Sequence, residues 1–101
     1  MTAKAVIPRE LARRDFDEVT DHCLGEDAFK AALDFVEALK KVYTHIGRQP
    51  ASGSPQYAHE LILPGLRSWP LMRFPYLVFY FEHDDCVDVS RVLHGQRDIP
   101  A

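Results

Sequence analysis

Arginine, histidine and aspartate fall together in the run Arg91-Val92-Leu93-His94-Gly95-Gln96-Arg97-Asp98-Ile99. An imidazole at the end of an apolar segment, beside a glycine that permits a tight turn, can serve as acid, base or hydrogen-bond donor near neutral pH. Arg97 and Asp98 either pair internally and close the end of a sheet, or form a charged head for a macromolecular target. All four lysines (Lys4, Lys30, Lys40, Lys41) lie in the first half of the chain, whereas the cations of the second half are Arg67, Arg73, Arg91 and Arg97. Guanidinium groups suit planar, bidentate recognition of carboxylate or phosphate. The ordinary alternative is solvated or internally paired arginines on a sheet, with His94 tying the last strand to neighbouring backbone. Taken residue by residue, the ordinary reading is preferred.

Other chemistries find little support. His83, Asp84, Asp85 and Cys86 are metal-ligand types, but neighbours on a tight turn point in divergent directions. His59-Glu60 lacks the second histidine of a zinc-protease helix. There is no glycine-rich phosphate loop, no GxSxG and no nucleophile triad. Cys23 and Cys86 are far apart, outside any CxxC motif, and are expected to be reduced thiols. No cofactor or metal is expected. A net charge of −3 argues against gripping nucleic acid by bulk electrostatics. The 101 residues suffice for one domain, 1–101, with a single core. No apolar run approaches the roughly 20 residues that span a bilayer. The N-terminal apolar stretch is too short for a signal peptide, so a cytoplasmic location is expected.

The elements that must position these residues follow from periodicity. Lys4 to Ile7 is a short β-prone segment ended by Pro8, which also suits a first helical turn. Leu11, Ala12, Phe16, Val19 and Cys23 recur at helical spacing, predicting a helix over 9–24 that Gly25 ends. A second helix starts near Glu26 and Asp27 and is closed by Gly47. It carries two apolar stripes, one through Phe29, Ala32, Val36, Leu39, Tyr43 and Ile46, the other through Ala28, Ala31, Phe35, Ala38 and Val42. The merged face is wider than a helix lying on a sheet requires. Phe35, Ala31, Ala38 and Val42 are therefore candidates for a partner's helix, unless helix one buries them.

Residues 48–57 read as a loop. Leu61 to Phe74 reads as an irregular edge strand, bent at Pro64-Gly65 and at Pro70. Tyr76 to Glu82 is apolar on both faces, as in a central strand. In Cys86 to His94, Val87, Val89 and Leu93 take one face and Asp88, Ser90 and His94 the other. Arg91 interrupts the apolar face and needs a partner. The order β-α-α-β-β-β predicts an α+β fold, a two-helix hairpin packed on a mostly antiparallel sheet.

Five segments in this order resemble the RelE/ParE superfamily of type II toxin–antitoxin toxins, in its ParE-like branch. Ala12-Arg13-Arg14-Asp15-Phe16-Asp17-Glu18-Val19 is similar to the A-x-x-D-(apolar)-x-x-(apolar) pattern of the first helix. Pro50-Ala51-Ser52-Gly53 resembles the P-x-x-G loop. Gly65-Leu66-Arg67 resembles the entry into the meander, Leu77-Val78-Phe79-Tyr80 the central strand, and Arg91 to Ile99 the R-V-L-H-G-x-R-D-I ending.

The resemblance implies a growth-arresting, non-enzymatic toxin that poisons DNA gyrase and is neutralised by a cognate ParD-like antitoxin of the ribbon-helix-helix type. Neither membrane association nor sequence-specific nucleic-acid binding by the toxin alone is expected. Arg97 is the first choice for target contact and Arg67 the second, with Arg73, His94 and Asp98 beside them. In the rival reading, a RelE-type ribosome-dependent mRNA endoribonuclease, His94 with Arg67, Arg73 and Arg97 would assemble a catalytic site. A third reading is a non-toxic remnant that still binds an antitoxin.

Overall fold

In the computed structural model, which describes residues 3–25 and 28–95, the periodicities resolve into strands β1 (Ala5–Pro8), β2 (Leu66–Pro70), β3 (Tyr76–Glu82) and β4 (Cys86–His94) and helices α1 (Glu10–Gly25), α2 (Phe29–Arg48) and α3 (Gln56–Glu60). A single 3-10 turn, Pro50–Ser52, follows α2. The sheet order is β1-β4-β3-β2. β2, β3 and β4 form the expected antiparallel meander, and β1 lies parallel to β4, Ala5 opposite Cys86 and Pro8 opposite Val89. Pro8 has no N–H to continue the ladder. The next amide, Arg9 N–H, donates to Val89 O at 2.9 Å as the chain enters α1.

The core forms where α2 lies on the sheet. Ala32, Phe35, Leu39, Val42 and Ile46 follow 3-4 spacing and are buried with Val78, Tyr80, Val87, Val89 and Val92. Phe35 is wholly inaccessible, its ring 5.5 Å from Phe74 and 5.6 Å from Tyr76, both edge-on, and 6.1 Å from Phe16. Such edge-on pairs add about 0.5–1.5 kcal/mol beyond area burial. Gly47 does not close α2 as predicted. The helix runs on to Arg48, and Gly47 is the buried point where β1 meets it. A Cβ there would lie 2.9 Å from Lys4 O, while Lys4 N–H donates to Gly47 O at 2.8 Å.

Two further expectations are corrected. Residues 56–60 form α3, and the predicted strand over 61–74 shrinks to Leu66–Pro70 between two turns. In β4 the register shifts opposite Phe79 and Tyr80, leaving Ser90 as an extra residue. The shift reverses the inward phase, so Val92, not Leu93, joins Val87 and Val89 in the core.

α3 ends in a Schellman-type cap, with Leu63 N–H on Ala58 O at 2.9 Å and Ile62 N–H on His59 O at 3.3 Å. The residue at the left-handed position is Ile62, φ 54°, where glycine is the usual occupant.

Candidate functional site at the strand ends

β1 pairs with β4 only from Cys86 to Val89, so the next stretch of that β4 edge would be open. Asp15 of α1 closes it. Its carboxylate accepts the Val92 N–H at 2.9 Å, Arg91 Nε at 2.8 Å and Arg91 Nη2 at 2.9 Å. The partner that Arg91 required is thus the aspartate of the A-x-x-D segment. Covering an edge in this way removes a template for unwanted strand pairing.

The Pro50–Gly53 loop is fixed from β3 and β2. The Tyr80 hydroxyl donates to Pro50 O at 2.7 Å and accepts the Gly53 N–H at 3.0 Å. Arg67 Nη1 donates to Gly53 O at 2.8 Å, and Ser54 and Ser68 exchange both backbone bonds at 2.9 Å. A Cβ on Gly53 would fall 2.1 Å from the Tyr80 hydroxyl, so no side chain fits. Burial raises the Tyr80 pKa, opposed by the Gly53 hydrogen bond and the Arg67 charge.

These contacts separate the residues proposed for target contact. Arg67 sits opposite Tyr80, at one end of β3, and His94 opposite Tyr76, at the other. That is roughly 13 Å along the strand and about 10 Å across it. His94 packs edge-on against Tyr76, ring centroids 5.3 Å apart, and Gly95 N–H donates to Pro75 O at 2.8 Å. Arg73, exposed and at φ 73°, lies in the β2–β3 turn, two residues before Pro75. His94 and Arg73 therefore belong to the strand end from which the chain continues, and Arg67 does not. Arg97 and Asp98 lie outside the described residues.

Of the partner-binding candidates, Phe35 needs correction, while Ala38 and Val42 line a groove of about 390 Å³ with Trp69 and Met72. Phe35 and Val42 are core residues, 0% and 5% exposed, and Ala31 and Ala38 are half-buried. The sheet, not helix one alone, covers that stripe. Spare apolar surface exists one face over, in a groove of about 390 Å³ between α1 and α2. Phe16, Val36, Leu39 and Tyr43 line it, with Arg13, Asp17 and Lys40 among its polar lining. Phe29 and Leu33, 62% and 51% exposed, continue the Val36–Tyr43 line along α2. Burial pushes the Tyr43 hydroxyl up to about 12. The double stripe signalled this surplus, but its width did not say which part would remain open.

Around the β3–β4 turn the charges pair with one another. Asp88 accepts from Arg9 and from His83 at 2.9 Å, and the Arg9 hydrogen bond chiefly lowers its pKa. Lys4 meets Glu82 at 2.8 Å. Among the described residues no group of three or more His, Cys, Asp or Glu side chains could hold a metal ion. Cys86 is a free thiol, and the Cys23 side chain lies outside the described residues. No described helix is long and apolar enough to cross a membrane.

A helical hairpin on a β1-β4-β3-β2 sheet, with its last strand held by an aspartate from the first helix, defines an α+β fold of the RelE/ParE type. Residues 6–99 match the family model described as the ParE toxin of the type II toxin–antitoxin system parDE, and the chain belongs to that family. A chain of the chromosomal ParDE TA system from P. aeruginosa shares the fold at a TM-score of 0.75 and 18% identity, covering 91% of this chain and 96% of that one. No curated protein matches the sequence.

Proposed function

We propose that this chain arrests growth by poisoning DNA gyrase, without catalysis of its own, and that a ParD-like antitoxin neutralises it. Membership of the ParE toxin family across residues 6–99 carries the reading. Two features favour gyrase over mRNA cleavage. The net charge of −3 is poorly suited to holding RNA. Arg67, one of the groups a nuclease site would need, is committed to the Gly53 carbonyl and lies at the far end of the sheet from His94. Directed guanidinium contacts, with Arg97 first, suit a gyrase–DNA complex in which phosphates are already held by protein.

The antitoxin's amphipathic helix takes the α1–α2 groove, its apolar anchors against Phe16, Val36 and Tyr43. The deciding experiment is expression without antitoxin, followed by assay of purified gyrase and mapping of cellular mRNA. Trapped, cleaved DNA on gyrase with intact mRNA supports the proposal. Codon-positioned mRNA cuts on ribosomes with normal gyrase turnover, or no growth arrest at all, overturn it.

A further inference from the structure

Tyr80 belongs to the core and Tyr43 packs against it, but their hydroxyls are engaged differently. The Tyr80 hydroxyl donates to Pro50 O and accepts the Gly53 N–H. The Tyr43 hydroxyl makes no hydrogen bond among the described residues, and burial alone accounts for its raised pKa. Every enclosed side-chain nitrogen or oxygen among the described residues has a partner, so the unbonded Tyr43 oxygen is still reached by water. The surface that Tyr43 lines is the α1–α2 groove. Closing that groove without offering an acceptor would strand the hydroxyl, which is unfavourable.

The groove has two unlike ends. In a helical hairpin the first turn of α1 lies beside the later turns of α2, which brings Arg13 to the end where Lys40 and Tyr43 stand one turn apart. Arg13 is exposed and its guanidinium pairs with nothing among the described residues, and Lys40 reaches only Glu37, at 4.0 Å. An exposed pair of that kind contributes little and is readily exchanged. Towards the other end the α2 line turns apolar, through Val36, Leu33 and Phe29. Asp17, one turn along α1 from Arg13, is the carboxylate of the lining and stands on the apolar side of the three donors.

Two cations and a phenol at one end of a groove are complementary to a carboxylate. We infer that Tyr43 is the polar anchor of this groove, its hydroxyl donating to a carboxylate on the antitoxin's helix that Arg13 and Lys40 flank. Hydrogen bonds to an ionised acceptor are roughly twice as strong as neutral ones. The bound helix lies with that carboxylate over the first turn of α1 and with its apolar residues towards Leu33 and Phe29. A helix of the same apolar pattern without the carboxylate leaves Tyr43 and Arg13 unmatched, so this end of the groove selects among antitoxins. The inference rests on the placing of the antitoxin's helix in this groove, and adds the acceptor that helix carries and the direction in which it lies.

The test is Tyr43→Phe, measured against the ParD-like antitoxin co-expressed with this chain. Urea denaturation should show the variant to be as stable as the parent, because the hydroxyl is bonded to nothing in the free domain. Antitoxin affinity should fall about tenfold, the loss expected for one charge-assisted hydrogen bond. Arg13→Gln, at an exposed position, should also lower affinity and flatten its dependence on salt. Pairing Tyr43→Phe with neutralisation of each antitoxin carboxylate in turn should show coupling at one position. Affinity of Tyr43→Phe within about twofold of the parent, or no carboxylate that couples to it, overturns the inference. So does a loss of stability that parallels the loss of affinity, since the hydroxyl would then serve the fold. If Leu33→Glu lowers affinity and Tyr43→Phe does not, the groove assignment stands and this inference fails. If neither lowers it, both fail.

Discussion

The Asp15 carboxylate and the Arg91 guanidinium meet in a two-pronged ion pair at 2.8 and 2.9 Å, bridging 76 positions of sequence. Asp15 is only 8% exposed, so its charge depends on Arg91 and on the Val92 N–H for compensation. Deleting either partner should cost about 2 kcal/mol or more, allowing for the half-exposed arginine. A double-mutant cycle on Asp15→Ala and Arg91→Ala, read by urea denaturation, should give a coupling of about 1 kcal/mol or more. Coupling near zero would reduce the pair to a surface contact.

Gly53 and Tyr80 should be equally interdependent. Gly53→Ala places a methyl group on the tyrosine hydroxyl and should destabilise strongly. Tyr80→Phe leaves the buried Gly53 amide and the part-buried Pro50 carbonyl without this partner and should cost about 1–3 kcal/mol. Combining them should be less than additive, because removing the oxygen relieves the 2.1 Å clash but not the 2.8 Å approach to the ring carbon Cζ. Strict additivity would contradict this geometry.

Growth arrest should separate Arg97 from His94. Arg97→Ala should weaken trapping of cleaved DNA on gyrase, whereas His94→Gln, which keeps a donor and an acceptor, should remain toxic. Complete loss of toxicity in His94→Gln at unchanged thermal stability would favour proton transfer and the nuclease reading.

The antitoxin surface can be probed without opening the core. Leu33→Glu, at an exposed position of α2, and Val36→Glu, half-buried in the groove, should leave the core packing in place while lowering antitoxin affinity at least tenfold. The same loss from Phe35→Glu would mean little, because that ring is core. Unaltered affinity in both variants would move the antitoxin elsewhere.

Acid stability should depend on Asp88. Its pKa is lowered, first by the Arg9 hydrogen bond, so its contribution is full above the ordinary carboxylate range near 4 and disappears as pH falls through the depressed value. Melting temperatures of Asp88→Asn should lie below those of the parent chain at pH 7 and converge with them towards pH 2. A constant gap across that range would point to packing instead.

The long-range design was more legible than its local departures. Asp15 and Arg91 each stood out in sequence, one in a helical motif and the other as a charge on an apolar strand face. The helix pair and the meander declared themselves through period. The five residues of α3 are too few to show one. The β4 bulge was hidden because Ser90-Arg91 carries no glycine or proline to mark it. Phe35 was misplaced for a different reason: two adjacent stripes reveal how wide an apolar face is, but its rotation on the sheet is set by partners such as Phe74 and Tyr76.

The parallel pairing of β1 with β4 also bears on synthesis. Ala5 finds its strand partner only when Cys86 is available, and α1 is latched only when Arg91 is. Contacts of such sequence separation close the largest loops last, and they slow folding. A nascent chain still lacking β4 has no interior strand for β1 and no anchor for α1, so this fold cannot be completed before β4 is made. The domain becomes competent only after β4 has been made, so a partner already present can meet it as it closes.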